Sequence, residues 1–145
     1  MDEVSQSPRI TIDAFNRLLD ESAPFQKVYG FATEEIGFGT ARARLPGGGD
    51  HIRPGGTLSG PAQMALADFT MYAALLGAIG EVPLAVTTSL NINFLARPLP
   101  GDLVASCRLI KLGKRLAVGD IMVRSEGMEA EVSHATATYS IPPRD

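Results

Sequence analysis

The sequence predicts an α+β domain in which a curved antiparallel sheet wraps one long, almost wholly apolar helix. Two observations carry that expectation. Residues 62–79 place Met64, Leu66, Phe69, Met71, Leu75, Leu76 and Ile79 around nearly the whole circumference of a helix, so something must cover it on most sides. The four stretches that follow, residues 85–95, 102–112, 115–125 and 131–141, are rich in Val, Ile, Leu and Thr and read as strands. With 145 residues, 45% of them hydrophobic and 20% charged, the chain has the size and composition of one folded domain spanning residues 1–145.

The elements follow in order. Ile12, Phe15, Leu18 and Leu19 stand at helical spacing, with Thr11 or Asp13 near the cap, predicting a short amphipathic helix. In residues 28–45 the apolar positions are scattered and Gly37-Phe38-Gly39 interrupts them, which predicts two strands or one strand and a hairpin. Pro46-Gly47-Gly48-Gly49-Asp50 and Arg53-Pro54-Gly55-Gly56 are loop. Ser59-Gly60-Pro61 then offers a capping hydroxyl and a proline near the first helical position, and Gly80 ends the long helix. Gly113-Lys114 and Gly127-Met128 are hairpin-sized breaks, whereas Arg97-Pro98-Leu99-Pro100-Gly101 is a stiffer corner.

Composition also excludes functions. A net charge of -3 from 13 basic and 16 acidic residues, without a block of either sign, leaves no footprint for nucleic acid. Cys107 is alone, so no intrachain disulfide forms, and with only His51 and His134 no closed Cys/His zinc site can be assembled. The acidic, polar start Met1-Asp2-Glu3-Val4 lacks the pattern of a secretory signal, so a cytoplasmic protein is expected. The apolar run of residues 61–79 approaches membrane-span length but carries Gln63 and Asp68 and lacks basic flanks; it reads as a core helix, with no membrane partner.

Asp68 is the only charged residue between Arg53 and Glu81. A carboxylate on a buried helix needs partners, because an unpaired buried charge is expensive. Three and four positions away its own helix offers Met64, Ala65, Met71 and Tyr72, of which only Tyr72 has a hydroxyl, so partners are expected from the sheet or a second subunit.

The order of elements, Ala65-Leu66-Ala67-Asp68, Val86-Thr87-Thr88-Ser89-Leu90-Asn91-Ile92-Asn93-Phe94-Leu95, Pro100-Gly101-Asp102 and the stretch from Lys111 to Val118 together resemble the hotdog fold. The branch they resemble is that of the phenylacetate-degradation acyl-CoA thioesterases, over roughly residues 28–142. The pattern departs from that family where its usual His-Gly-Gly reads Ser59-Gly60-Pro61, and Arg53 stands in the place of a family asparagine that helps to position the thioester.

The resemblance implies thioester hydrolysis with Asp68 as general base on a water or as direct nucleophile, the backbone N–H of Gly60 as oxyanion donor, and Thr87 as the hydroxyl that helps to hold the water. Pro61 removes a neighbouring donor. A thiolate leaves readily, so one carboxylate suffices and no cofactor or metal is called for. Gly60 and Asp68 lie about two helical turns apart, too far to serve one site within one chain. The resemblance implies a homodimer, or a homotetramer built of dimers, in which Gly60 of one subunit faces Asp68 and Thr87 of the other. Arg53 and Ser59 border this turn, and Arg97, Lys111, Lys114 and Arg115 are the cations available for the phosphates of an acyl-CoA substrate. Ser59 also reads as a helix cap, Arg53 as a partner for Asp50, and the four cations as a solvated strand edge. Met64, Phe69 and Met71 are candidates to line the acyl pocket or to fill the core. Two other classes fit the same fold: a hydratase or dehydratase, for which His51 is the upstream histidine, and a non-catalytic acyl-CoA-binding module.

Overall fold

The computed structural model describes residues 6–143. It opens with α1 (Ile12–Ser22), capped by the Thr11 hydroxyl on the Ala14 N–H at 3.1 Å, and a single 3-10 turn at Pro24–Val28. A hairpin of β1 (Ala32–Gly37) and β2 (Thr40–Leu45) follows, then the loop into α2 (Gly60–Ile79), and finally β3 (Val86–Phe94), β4 (Leu103–Leu112), β5 (Leu116–Ser125) and β6 (Ser133–Ser140). The scattered stretch of residues 28–45 is thus two strands, turning where Gly39 adopts a φ of 76°.

All strand neighbours are antiparallel and the sheet order is β1-β2-β4-β5-β6-β3. The stiff corner after β3 is therefore a crossing of the sheet. It takes the chain from one edge to the β2–β4 side, and β3 keeps β6 as its one partner. Between β5 and β6 the break is wider than a hairpin turn, running over residues 126–132.

The sheet curves round α2 because its inward positions are small beneath the helix. Ala41 and Ala43 on β2, Ala105 on β4, Ala117 on β5, and Ala135 and Ala137 on β6 are all buried. The closest approach is glycine-made: a Cβ on Gly77 of α2 would overlap the Gly37 carbonyl oxygen of β1, and one on Gly119 of β5 would overlap Met71. The opposite side of α2 is closed by α1, whose fully buried Phe15 meets the rings of Phe69 and Tyr72 with centroids at 5.7 and 5.8 Å. Among the described residues α2 is the one helix long and apolar enough to cross a membrane, and it is the core helix of this fold, largely buried under sheet and α1.

Candidate active site

Asp68 is the ninth of the 20 residues of α2, and the side chains that meet it come from the far edge of the sheet. Thr87 Oγ1 on β3 donates to Asp68 Oδ1 at 2.6 Å, and Tyr139 Oη on β6 donates to the same oxygen at 2.9 Å. Thr87 and Tyr139 are directly opposite in the β3–β6 ladder, and the register slips immediately afterwards, between Thr87 and Ser89. That bulge bends the strand at Thr87 and helps to aim its side chain at the helix. Tyr72, the hydroxyl one turn along the same helix, goes elsewhere and donates to the Pro83 carbonyl at 3.1 Å. The sheet, not the helix, supplies the partners. Thr87 has spent its one proton on Asp68, so toward a water it can act only as an acceptor.

Two cavities meet at this carboxylate. One, of about 410 Å³, is lined by Phe25, Gln26, Tyr29, Pro61, Met64, Ala65 and Leu90 besides Asp68 and Thr87. The other, of about 210 Å³, reaches inward past Tyr72, Pro83, Ala85 and Val86 to Tyr139, and shares Phe25, Gln26, Asp68 and Thr87 with the first. Asp68 is the only charged residue lining either. Phe25 is largely exposed at the mouth, on the 3-10 turn that separates the two openings. Of the residues read as pocket or core, Met64 lines the larger cavity, while Phe69 and Met71 are buried core.

The start of α2 can be accounted for donor by donor. The Ser59 N–H goes to the His51 carbonyl at 2.9 Å, the Ala62 N–H to Ser59 Oγ at 3.2 Å, and Pro61 has none. Gly60 alone retains an N–H without an acceptor among the described residues. A free donor at a helix N-terminus, where the dipole is positive, favours an anion. Ser59 is thereby a cap, its oxygen committed to the helix. The Phe94 ring packs against Gly60, where an added Cβ would stand 3.3 Å from it, so this N-terminus sits by the β3 edge.

The remaining candidates do not converge on Asp68 within one chain. Arg53 is exposed on a tight loop, its N–H bonded to Thr57 O at 2.9 Å, and makes no ion pair with Asp50 among the described residues. Arg97, Lys111, Lys114 and Arg115 are exposed and line neither cavity, and Arg115 Nε donates to the Ile141 carbonyl at 3.0 Å. His51 Nε2 donates to the Val28 carbonyl at 3.2 Å, its ring stacked on Tyr29, and His134 pairs with Asp120 at 2.5 Å on the outer face of the sheet. Burial, with Asp120 adding to it, pushes the Cys107 thiol up to about 12, so it is no nucleophile at neutral pH.

Tyr139 is the residue that sequence reading missed. It is fully packed, and burial first, then the Asp68 charge, pushes its phenol well above the ordinary range, so it is a donor at neutral pH.

Residues 55–132 match the thioesterase superfamily. A solved protein of Silicibacter assigned as a thioesterase is 42% identical over 97% of both chains, with a TM-score of 0.84. A variant of the phenylacetic acid degradation protein of Thermus thermophilus is 26% identical, covering 82% of this chain and 99% of its own, with a TM-score of 0.71. A Haemophilus influenzae thioesterase at 24% identity shares the fold over 94% of this chain and 95% of its own, with a TM-score of 0.80. No curated protein matches the chain. Six antiparallel strands round one central helix, and a family match over more than half of its length, make this chain a member of the thioesterase superfamily, with the hotdog fold and a likeness to the phenylacetic acid degradation protein.

Proposed function

We propose that the protein hydrolyses acyl-CoA thioesters, with Asp68 as the working carboxylate. The observation that carries this reading is the setting of Asp68: the one charged side chain at the junction of two cavities, with one oxygen held by two hydroxyls. In the water route Asp68 accepts a proton as water attacks the thioester carbon. In the nucleophilic route it attacks that carbon itself and water later opens the mixed anhydride. Either way the carbonyl oxygen becomes an oxyanion, and the thiolate leaves without needing an acid.

The oxyanion donor in this reading is the free N–H of Gly60 of the partner subunit. Support for a dimer comes from β3, nine residues long, which has one sheet partner and exposes Val86 and Phe94, followed by exposed Leu95. A long edge strand with free backbone groups is a pairing surface unless it is covered. Joining two β3 edges about a two-fold axis covers it and brings the α2 N-termini, which sit beside Phe94, into the interface. This dimer is the homodimer, or the unit of a homotetramer. Arg53 and Ser59 at the same turn border the acyl site across the interface, and Arg97, Lys111, Lys114 and Arg115 are the cations offered to the carrier phosphates. No cofactor, nucleic acid or membrane enters the reaction. A cytoplasmic setting goes with a CoA substrate and with a lone cysteine.

Thiol release from acetyl-, hexanoyl- and phenylacetyl-CoA by wild type and Asp68→Ala tests the proposal. A loss of roughly 10²-fold or more in the variant is expected. Equal rates in both overturn it, and tight binding without turnover in wild type points instead to an acyl-CoA-binding module. Nothing favours the hydratase reading, since His51 is tied to a backbone carbonyl and lines neither cavity.

A further inference from the structure

Two donors on one carboxylate oxygen leave the other oxygen distinct. Thr87 and Tyr139 both reach Asp68 Oδ1, and no described residue donates to Oδ2. We propose that Tyr139 is a positioning residue of this site: together with Thr87 it locks Oδ1, so that Oδ2 is the oxygen that meets the reacting atoms. The inference deepens the thioesterase reading and rests on it. In the water route Oδ2 takes the proton while the water oxygen bonds to the acyl carbon and the C–S bond breaks to release thiolate. In the nucleophilic route Oδ2 itself bonds to the acyl carbon, the thiolate leaves, and water then splits the anhydride.

The geometry of Tyr139 suits it to hold one position. On β6 it follows the small inward residues Ala135 and Ala137, and its large ring forms the wall of the inner cavity beside Asp68. Its ring is stacked on Tyr72 with centroids at 6.1 Å, and Tyr72 is in turn held by Phe15 and by its bond to Pro83. Tyr139 is 3% exposed, so water does not compete for its hydroxyl. The hydroxyl also lies 3.3 Å from the Asp68 carbonyl oxygen, but the shorter contact, to the charged oxygen, is the stronger acceptor. The titratable groups facing Asp68 are Tyr139 from β6, Tyr72 from its own helix and Tyr29 from the segment before β1. Thr87 faces it from β3, and no Lys, Arg, His or second carboxylate lines either cavity.

Tyr139→Phe keeps the ring and removes only the donor. With Asp68 as the active group, kcat for phenylacetyl-CoA falls roughly tenfold to a hundredfold while KM stays within about twofold. The carbon-13 chemical shift of the Asp68 carboxyl at neutral pH, without substrate, differs between wild type and Tyr139→Phe, and reads the bond even if the substrate class is wrong. A Tyr139 hydroxyl proton shifted downfield in wild type, and moved in Asp68→Asn, reports the same contact without replacing Tyr139. An unchanged carboxyl chemical shift and an unchanged kcat in Tyr139→Phe overturn the inference alone. Full activity of Asp68→Ala overturns the parent reading instead, and the carboxyl chemical shift still judges the hydrogen bond.

Discussion

Asp68 can stand on an apolar helix because its hydrogen bonds come from 19 and 71 residues away in the chain. Its isolation among apolar residues was visible in the sequence, and so was the need for partners. Tyr139 was not visible, because only the β3–β6 register brings it to Thr87 and the sequence shows it as one aromatic among alternating Ala and Thr. The signal available was a large aromatic with a polar tip on the inward face of a strand otherwise lined by alanine, since a buried phenol needs a partner. The turn at the start of α2 is legible residue by residue, for Pro61 lacks the N–H that a glycine would present. Pro61→Gly restores a second donor at the start of α2. Its kcat is expected to rise several-fold, while Tm falls by a few degrees because the unfolded chain gains freedom. Steady-state kinetics beside thermal melts check both signs; a slower enzyme contradicts a shortage of donors.

Elements were the most legible scale, because each is specified locally. The apolar circumference of α2, the Ser59 cap and the Gly80 stop mark that helix to within two residues, and the β-branched runs locate β3 to β6 to within two residues of their ends. Strand order was hidden, since the crossing after β3 depends on which edge offers the better inward face. Where elements touch, small residues decide. Gly77 lets α2 lie against the Gly37 carbonyl, and backbone on both sides cannot yield as a side-chain tip can. Gly77→Ala gains helix propensity of about 1 kcal/mol and yet is expected to destabilise by a net of roughly 2 kcal/mol. Urea unfolding measures it; a variant as stable as wild type means that helix and strand are further apart than described.

On the scale of the whole molecule, one charge network pins the β1–β2–β4 side of the sheet while the site occupies the β6–β3 side. Arg44 on β2 donates to Glu34 on β1 at 2.7 Å, to Asp102 before β4 at 3.0 Å and to Glu126 after β5 at 2.7 Å. The Arg44 bond holds Glu34 below the usual carboxylate range, and Asp102 is lowered first by the Gly47 N–H and then by Arg44. Carboxylates lowered in the fold stabilise it fully above their unfolded range, and that stabilisation is lost as pH falls through the still lower folded values. Arg44→Met is therefore expected to cost about 1–2 kcal/mol at pH 7, a modest figure because the pairs are partly solvated, and to converge toward wild type as pH falls below the ordinary carboxylate range. Melting curves across that range read the convergence, and a constant difference at all pH values would assign Arg44 a packing role. The most direct test is Asp68→Asn, which keeps the shape that Thr87 and Tyr139 grip and removes only the charge. In steady-state hydrolysis of phenylacetyl-CoA it is expected to lower kcat by roughly 10²-fold or more with Tm nearly unchanged, whereas a kcat equal to that of wild type would contradict the role given to Asp68.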